Sequence, residues 1–202
     1  MHRRNFLSLS AMVGITPFMS GCEKISTWLD EAQENRFEWT EDVPLIDGRT
    51  LVVKRSARLS ANSIAGGGGG SFNKGMTLEV TFPRLPDAPA AWNDVYVPLL
   101  LDQDPKSKEW ILVATFFHCD SWYNLGRPPL PYTEYRFRQG KWQRQALTAE
   151  LIGRVANLYI ADQKPKTSHL TESYKRSDIE DHPGTSKEFL KIVDTWGHVS
   201  GC

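Results

Sequence analysis

The sequence predicts a mainly-β fold: an antiparallel sheet or meander of about six or seven strands, with short helices at its N- and C-terminal ends. Three observations carry this prediction. Apolar and polar residues alternate at period two in several stretches, most cleanly over 77–82, where Leu78, Val80 and Phe82 share one face. Turn dipeptides such as Asp47-Gly48 and Gln139-Gly140 separate these stretches. The run from Trp110 to Phe117 is apolar except for Thr115, as suits a central strand covered on both faces.

Taken in order, residues 1–22 stand apart from the fold. Arg3 and Arg4 supply a positive start, and the 14 residues from Phe6 to Met19 carry no charge. That stretch falls short of the roughly 20 residues a membrane-spanning helix needs. Ser20, Gly21 and Cys22 close it. The segment resembles a bacterial lipoprotein signal peptide, whose final cysteine becomes the lipid-bearing N-terminus. Arg3-Arg4-Asn5-Phe6-Leu7 also resembles the twin-arginine export motif, while His2 and Ser8 depart from it and leave the general secretion route open. The resemblance implies a signal peptide over 1–21, acylation of Cys22, and a chain anchored in the cell envelope facing the periplasm. Glu23 follows the cysteine where an Asp would imply inner-membrane retention, so the outer membrane is favoured over the inner. Removal of the first 21 residues leaves 181 of the 202 and lowers the 24 basic residues to 22 against 24 acidic ones, a net charge of −2.

Residues 22–37 read as a lipidated tether. Ile25, Trp28, Leu29 and Ala32 fall at helical spacing and predict a short amphipathic helix. Residues 38–202 read as a single mainly-β domain. Its first arm runs from Glu38 to Leu45, with Pro44 confining it to a sheet edge. Asp47-Gly48 turns it into Thr50–Arg55. A loop with five glycines at 66–70 precedes the strand over 77–82. Strands are expected over Val95–Leu101, from Trp110, over Tyr132–Arg138, and over Lys141–Leu147 with Trp142 inward. Leu147, Leu151, Ile152, Val155 and Leu158 predict a short helix or helical turn. Residues 162–186 read as irregular, with one helical turn near Tyr174. Thr185 and Glu188 have capping-box spacing ahead of a last helix over 189–193.

Composition excludes several function classes. The 40% hydrophobic and 11% aromatic residues exclude a disordered chain, and a formal net charge of zero removes the basic balance of a nucleic-acid binder. Motifs exclude more. Lys74-Gly75-Met76 has the wrong order for a phosphate loop. Ser71-Phe72-Asn73-Lys74 lacks the further elements that a penicillin-recognising serine requires. Asp102-Gln103-Asp104 lacks the glycine and closing glutamate of a calcium loop. His118-Cys119-Asp120 holds three potential ligands, but neighbours in sequence seldom chelate together, and a metal site there would need His182 or His198 brought close by folding. No metal or cofactor is expected.

With Cys22 acylated, Cys119 and Cys202 remain as an even pair in an oxidising compartment. A disulfide, two inert thiols, or a reactive Cys119 served by a histidine are the alternatives. Arg136, Arg138 and Arg144, with Lys141 in the turn, are candidates for a basic patch binding an anionic partner or lipid headgroup, against the plainer reading of a solvated outer face beside Glu134. Arg127 joins the candidates beside the aromatic residues Trp122 and Tyr123, part of a cluster that could line a recognition groove.

Trp39-Thr40-Glu41, Asp47-Gly48-Arg49 and Val52-Val53-Lys54-Arg55 resemble the opening W-x-E-x-V-x-L-x-D-G-x-x-x-x-V-x-R shared by a group of uncharacterised proteobacterial proteins. Val43 and Leu45 match as well. Agreement continues at Pro98-Leu99-Leu100-Leu101-Asp102, Gly126-Arg127-Pro128-Pro129-Leu130-Pro131-Tyr132 and Gly140-Lys141-Trp142-Gln143-Arg144, so it covers about residues 38–147. It transfers no catalytic residue. The expected function is that of an envelope-anchored lipoprotein with a non-catalytic protein-binding, accessory or immunity-type module, its partners being the membrane through the lipid and a protein of the envelope. The alternative is a periplasmic hydrolase using Cys119 or a carboxylate pair.

Overall fold

The computed structural model describes residues 34–63, 69–116, 119–160, 164–181 and 187–195. The fold is mainly β, with nine strands among the described residues, divided between two sheets. In the first, β1 (Glu34–Pro44), β2 (Thr50–Ser63), β3 (Gly69–Phe82) and β4 (Trp92–Asp94) form an antiparallel meander, and β9 (His169–Leu170) joins the free side of β1 in parallel. In the second, β5 (Val97–Gln103), β6 (Trp110–Thr115), β7 (Tyr132–Arg138) and β8 (Lys141–Gln145) form another antiparallel meander. The helices are α1 (Cys119–Asn124), α2 (Glu172–Asp181), α3 (Lys187–Leu190) and a 3-10 turn at Ala149–Leu151. No helix of the described residues is long and apolar enough to cross a membrane.

Period-two alternation sets the inner face of the first sheet. Phe37, Trp39, Glu41, Val43 and Leu45 are buried, as are Leu51, Val53, Arg55, Ala57 and Leu59. The register Trp39↔Arg55, Glu41↔Val53, Val43↔Leu51 puts both rows on one side of the sheet. Met76, Leu78 and Trp92 continue that face, and it packs on Val97, Leu101, Trp110, Leu112 and Tyr135 of the second sheet. β6 is buried at every position, as its apolar run predicted, and so is β5, for which only a strand was expected. Their other face meets a second cluster of Leu99, Leu100, Ile111, Val113, Tyr132, Leu151 and Ile192. Gln139 (φ 52°) and Gly140 (φ 76°) make the two-residue β7–β8 hairpin with both φ positive, the turn whose twist matches that of the strands.

Several expectations change. β1 begins at Glu34, four residues before the expected domain start, and the rest of the tether through residue 33 lies outside the described residues. Pro44 does not make β1 an edge, because β9 pairs only with Thr40 and Glu41 and leaves Pro44 at the strand's end. The predicted helix over 147–158 shrinks to the 3-10 turn. Gly153 (φ +89°) ends it, and residues 153–156 then run beside 190–192 through Gly153 N to Ile192 O (2.8 Å), Ile192 N to Arg154 O (2.9 Å) and Ala156 N to Leu190 O (2.9 Å). The segment read as irregular contains α2, ten residues long and started by Thr171, whose Oγ1 accepts from Tyr174 N at 3.2 Å. Its apolar stripe is too thin for periodicity to reveal. α3 ends at Leu190, short of the expected 193, and Thr185 lies outside the described residues. Gly69 and Gly70 of the glycine run open β3, opposite Ser63 and Asn62.

Candidate functional site

The two sheets leave two seams, and these differ. Between β1 and β5 a strap over residues 157–159 closes the gap. A bulge in β5 near Leu99 turns that residue's carbonyl outward, and it accepts from Asn157 N and Leu158 N, both at 3.0 Å. The Asn157 side chain donates to Pro44 O (2.9 Å) and Leu101 O (2.8 Å) and accepts from Leu101 N (3.0 Å). One amide thus ties the end of β1 to β5.

Behind this strap lies a buried charge cluster. Glu41 is wholly buried, and each of its oxygens accepts twice. Oε1 takes Arg55 Nη1 (2.6 Å) and Trp39 Nε1 (3.3 Å), and Oε2 takes Tyr159 N (2.7 Å) and Lys175 Nζ (3.1 Å). Lys175 also donates to Asp42 O and Asn157 O, both at 2.5 Å, so its three protons all have acceptors. Arg55 lies 4.9 Å from the Trp39 ring centroid. Burial pushes its guanidinium below the ordinary value, against the pull of Glu41. This cluster fastens α2 and the strap to the sheet. Its charges are directed inward and paired, with Arg55 Nε the one donor of the cluster left without a partner among the described residues, as befits a structural role.

The open seam runs between β4 and β8, the last strands of their sheets. Here a groove of about 470 Å³ is lined by residues 90–94 on one side and Tyr135, Gly140, Lys141, Trp142 and Arg144 on the other. Side chains span it in place of a backbone ladder. Trp142 Nε1 donates to Ala90 O (2.7 Å), Tyr135 O–H donates to Asp94 Oδ2 (2.8 Å), and Arg144 Nη1 approaches the Tyr96 hydroxyl at 3.4 Å. Trp92 packs edge-on against Tyr135 at 5.4 Å, and its buried Nε1 has no hydrogen-bond partner. Burial, followed by the neighbouring Asp94 charge, holds the Tyr135 proton well above the tyrosine range, so its hydroxyl acts as a donor. Lys141 and Arg144 are exposed. The groove offers aromatic walls, two cations and a fixed hydroxyl, a set that can bind and orient an anionic, hydrogen-bonding ligand.

The five basic residues singled out from the sequence do not form one patch. Only Lys141 and Arg144 line the groove. Arg136 is 5% exposed on the opposite face of the second sheet. It bonds to Glu134 through Nε and to Glu150 at 2.5 Å, with Asp104 at 3.4 Å and Glu109 at 3.8 Å. Arg138 grips Glu109 with two parallel bonds, of 2.7 and 2.9 Å. Arg127 stacks over Tyr123 (5.1 Å) and Trp122 (5.8 Å) beyond α1. Cys119 opens α1 and is not a free thiol, while Cys22 and Cys202 lie outside the described residues. Among the described residues, no group of three or more His, Cys, Asp or Glu side chains is placed to hold a metal ion.

The acidic groups give a pH prediction. Asp47 is held below the ordinary carboxylate value by Arg49, Asp104 by the Ser107 and Lys106 amides and then by Arg136, and Glu109 by Arg138. Each is more acidic folded than unfolded, so the unfolded chain binds more protons at low pH. Their stabilisation is complete above the ordinary values of 3.8 for Asp and 4.5 for Glu, and is lost as pH falls through the lowered ones. Urea midpoints are expected to hold steady from neutral pH down to about pH 5 and to fall below it. A midpoint that rises on acidification would refute the assignment.

Sequence reasoning missed Glu41, Arg55, Asn157 and Lys175. A signal for the first two was available: opposite charges in the inward phase of two adjoining strands. For the last two there was none. Compared with known proteins, the chain matches no family model, no curated protein and no solved structure.

Proposed function

We propose that this chain is a lipid-anchored protein of the bacterial cell envelope, facing the periplasm and favoured at the outer membrane, whose β domain binds a protein partner without covalent chemistry. The observation that carries the binding role is the β4–β8 groove, where Lys141 and Arg144 stand exposed beside aromatic walls. The anchor rests on the lipoprotein-like segment ending at Cys22. A bridge between Cys119 and Cys202 belongs to the same reading, and intact mass before and after reduction reports it. Against a hydrolase worked by Cys119 or a carboxylate pair weigh the engaged state of Cys119 and the ionised state imposed on Asp104 and Glu109, which suits neither to donate a proton.

Growth with an alkyne-bearing palmitate tests the anchor. The wild-type chain is expected to take up label and sediment with membranes, and Cys22→Ala to lose both properties. Label persisting in Cys22→Ala would overturn acylation at that residue.

A further inference from the structure

We infer that the open seam receives an extended, acidic peptide segment of the partner, added as a strand along β8. This deepens the binding role proposed above and rests on it.

The argument begins with the backbone. β8 pairs with β7 alone and β4 with β3 alone, so each sheet ends in a free edge at the same groove. Among the described residues no backbone group of 141–145 or 92–94 bonds to a backbone outside its own ladder. The opposite seam shows what sealing involves in this fold, since Asn157 and its strap satisfy both neighbouring strands there. Strand addition would supply at β8 what the strap supplies at β5, with main-chain bonds giving affinity and alternate side chains giving selectivity.

Charge and shape specify the segment. Trp142 and Arg144 share the inner face of β8, opposite Phe137 and Tyr135 in the register. Arg144 is exposed, its nearest hydrogen-bonding group being the Tyr96 hydroxyl at 3.4 Å, and Lys141 has no ion-pair partner among the described residues. The acidic residue of the groove, Asp94, already accepts from Tyr135 O–H and Val95 N. Arg144 on the inner face of β8, and Lys141 at the turn that begins the strand, therefore remain for incoming acidic side chains. A neighbouring strand places residues two apart on one face. The segment that fits carries an acidic residue opposite Arg144 and an apolar one, two positions away, opposite Trp142. Five residues of β8 offer about 17 Å of edge, enough for a peptide of similar length.

The test is a library of linear decapeptides panned on the purified full chain, with the Lys141→Glu/Arg144→Glu chain as counter-selection. Enriched peptides are expected to carry an acidic residue two positions from an aromatic or aliphatic one. Made synthetically, they should slow amide exchange across 141–145 and lose about tenfold or more in affinity when alternate peptide amides are methylated or when both cations are reversed. Both exchanged residues are exposed, so an unchanged thermal midpoint verifies the fold of the double variant. The inference is overturned if no peptide is enriched, if the two chains bind the peptides equally, or if protection falls on another edge. A photo-cross-linking residue at exposed Asn93 in living cells separates this failure from failure of the binding role. An adduct that disappears with Arg144→Glu, without any β8-protecting peptide, sinks strand addition alone, and absence of adduct and peptide together sinks both.

Discussion

Glu41→Ala is expected to lower the unfolding free energy by about 3–5 kcal/mol, the range for removing one partner of a buried ion pair. The carboxylate is the common acceptor of Arg55, Lys175, the Trp39 indole and the Tyr159 amide. Without it two cations remain in the inter-sheet core, Arg55 wholly buried and Lys175 at 7% exposure. Desolvation is costly for each, and they face each other without a countercharge. Glu41→Gln keeps the shape but loses the charge, so it is expected to recover little of the loss. Replacing all three residues together, as Glu41→Leu/Arg55→Met/Lys175→Met, removes the charges along with their desolvation. That variant is expected to stay within about 1–2 kcal/mol of the wild type or to exceed it, as other buried ion pairs do when exchanged for well-packed apolar groups. Urea unfolding followed by tryptophan fluorescence measures all three. A loss under about 1 kcal/mol for Glu41→Ala, the size of an exposed pair, would contradict the buried-cluster account. If Glu41→Ala does not fold at all, the triple variant still decides between charge and packing.

Arg136→Met is expected to cost about 3 kcal/mol. Methionine keeps much of the stem's packing on the sheet, so the loss reports the guanidinium. That group faces Glu134, which is wholly buried, together with Glu150, Asp104 and Glu109. Gln145 and the Thr148 amide would still bond to Glu134, yet four carboxylates would converge with Arg138, on Glu109, as the one cation left paired to them among the described residues. Protonation relieves such crowding, so acidification to about pH 5 is expected to close part of the gap between Arg136→Met and wild type. A deficit equal at pH 7 and pH 5, measured by the same urea titrations, would indicate lost packing in place of lost charge.

These two clusters show where sequence reasoning reached and where it stopped. The strand phases were legible, because alternation and turn chemistry are local properties. The spacing from Trp39 to Arg55 acquires a physical meaning in the fold: Trp39, Glu41, Val43, Leu45, Val53 and Arg55 all point inward, and Asp47 and Gly48 make the turn. Neither a basic patch nor a solvated outer face describes Arg136: Glu134 is beside it as expected, but the other carboxylates that bury it come from the β5–β6 turn, the approach to β6 and the 3-10 turn, at separations of up to 32 residues. Lys175 was invisible, since a lysine in a polar segment carries no mark of burial. The helix around it is held by that side chain more than by an apolar stripe.

Charge balance, strand periodicity, turn positions and the segment leading to Cys22 are all written in short windows of residues, and the mainly-β class followed from them. The division into two sheets, the sealing of one seam and the opening of the other rest on contacts between distant residues. Asn157 meets Pro44 across 113 positions and Lys175 meets Glu41 across 134. A local pattern records which way a side chain points from its own strand. Whether that side chain meets solvent, a countercharge or a strap depends on which strands the fold brings beside it, and that is why the groove at β4 and β8 emerged only when the chain was closed upon itself.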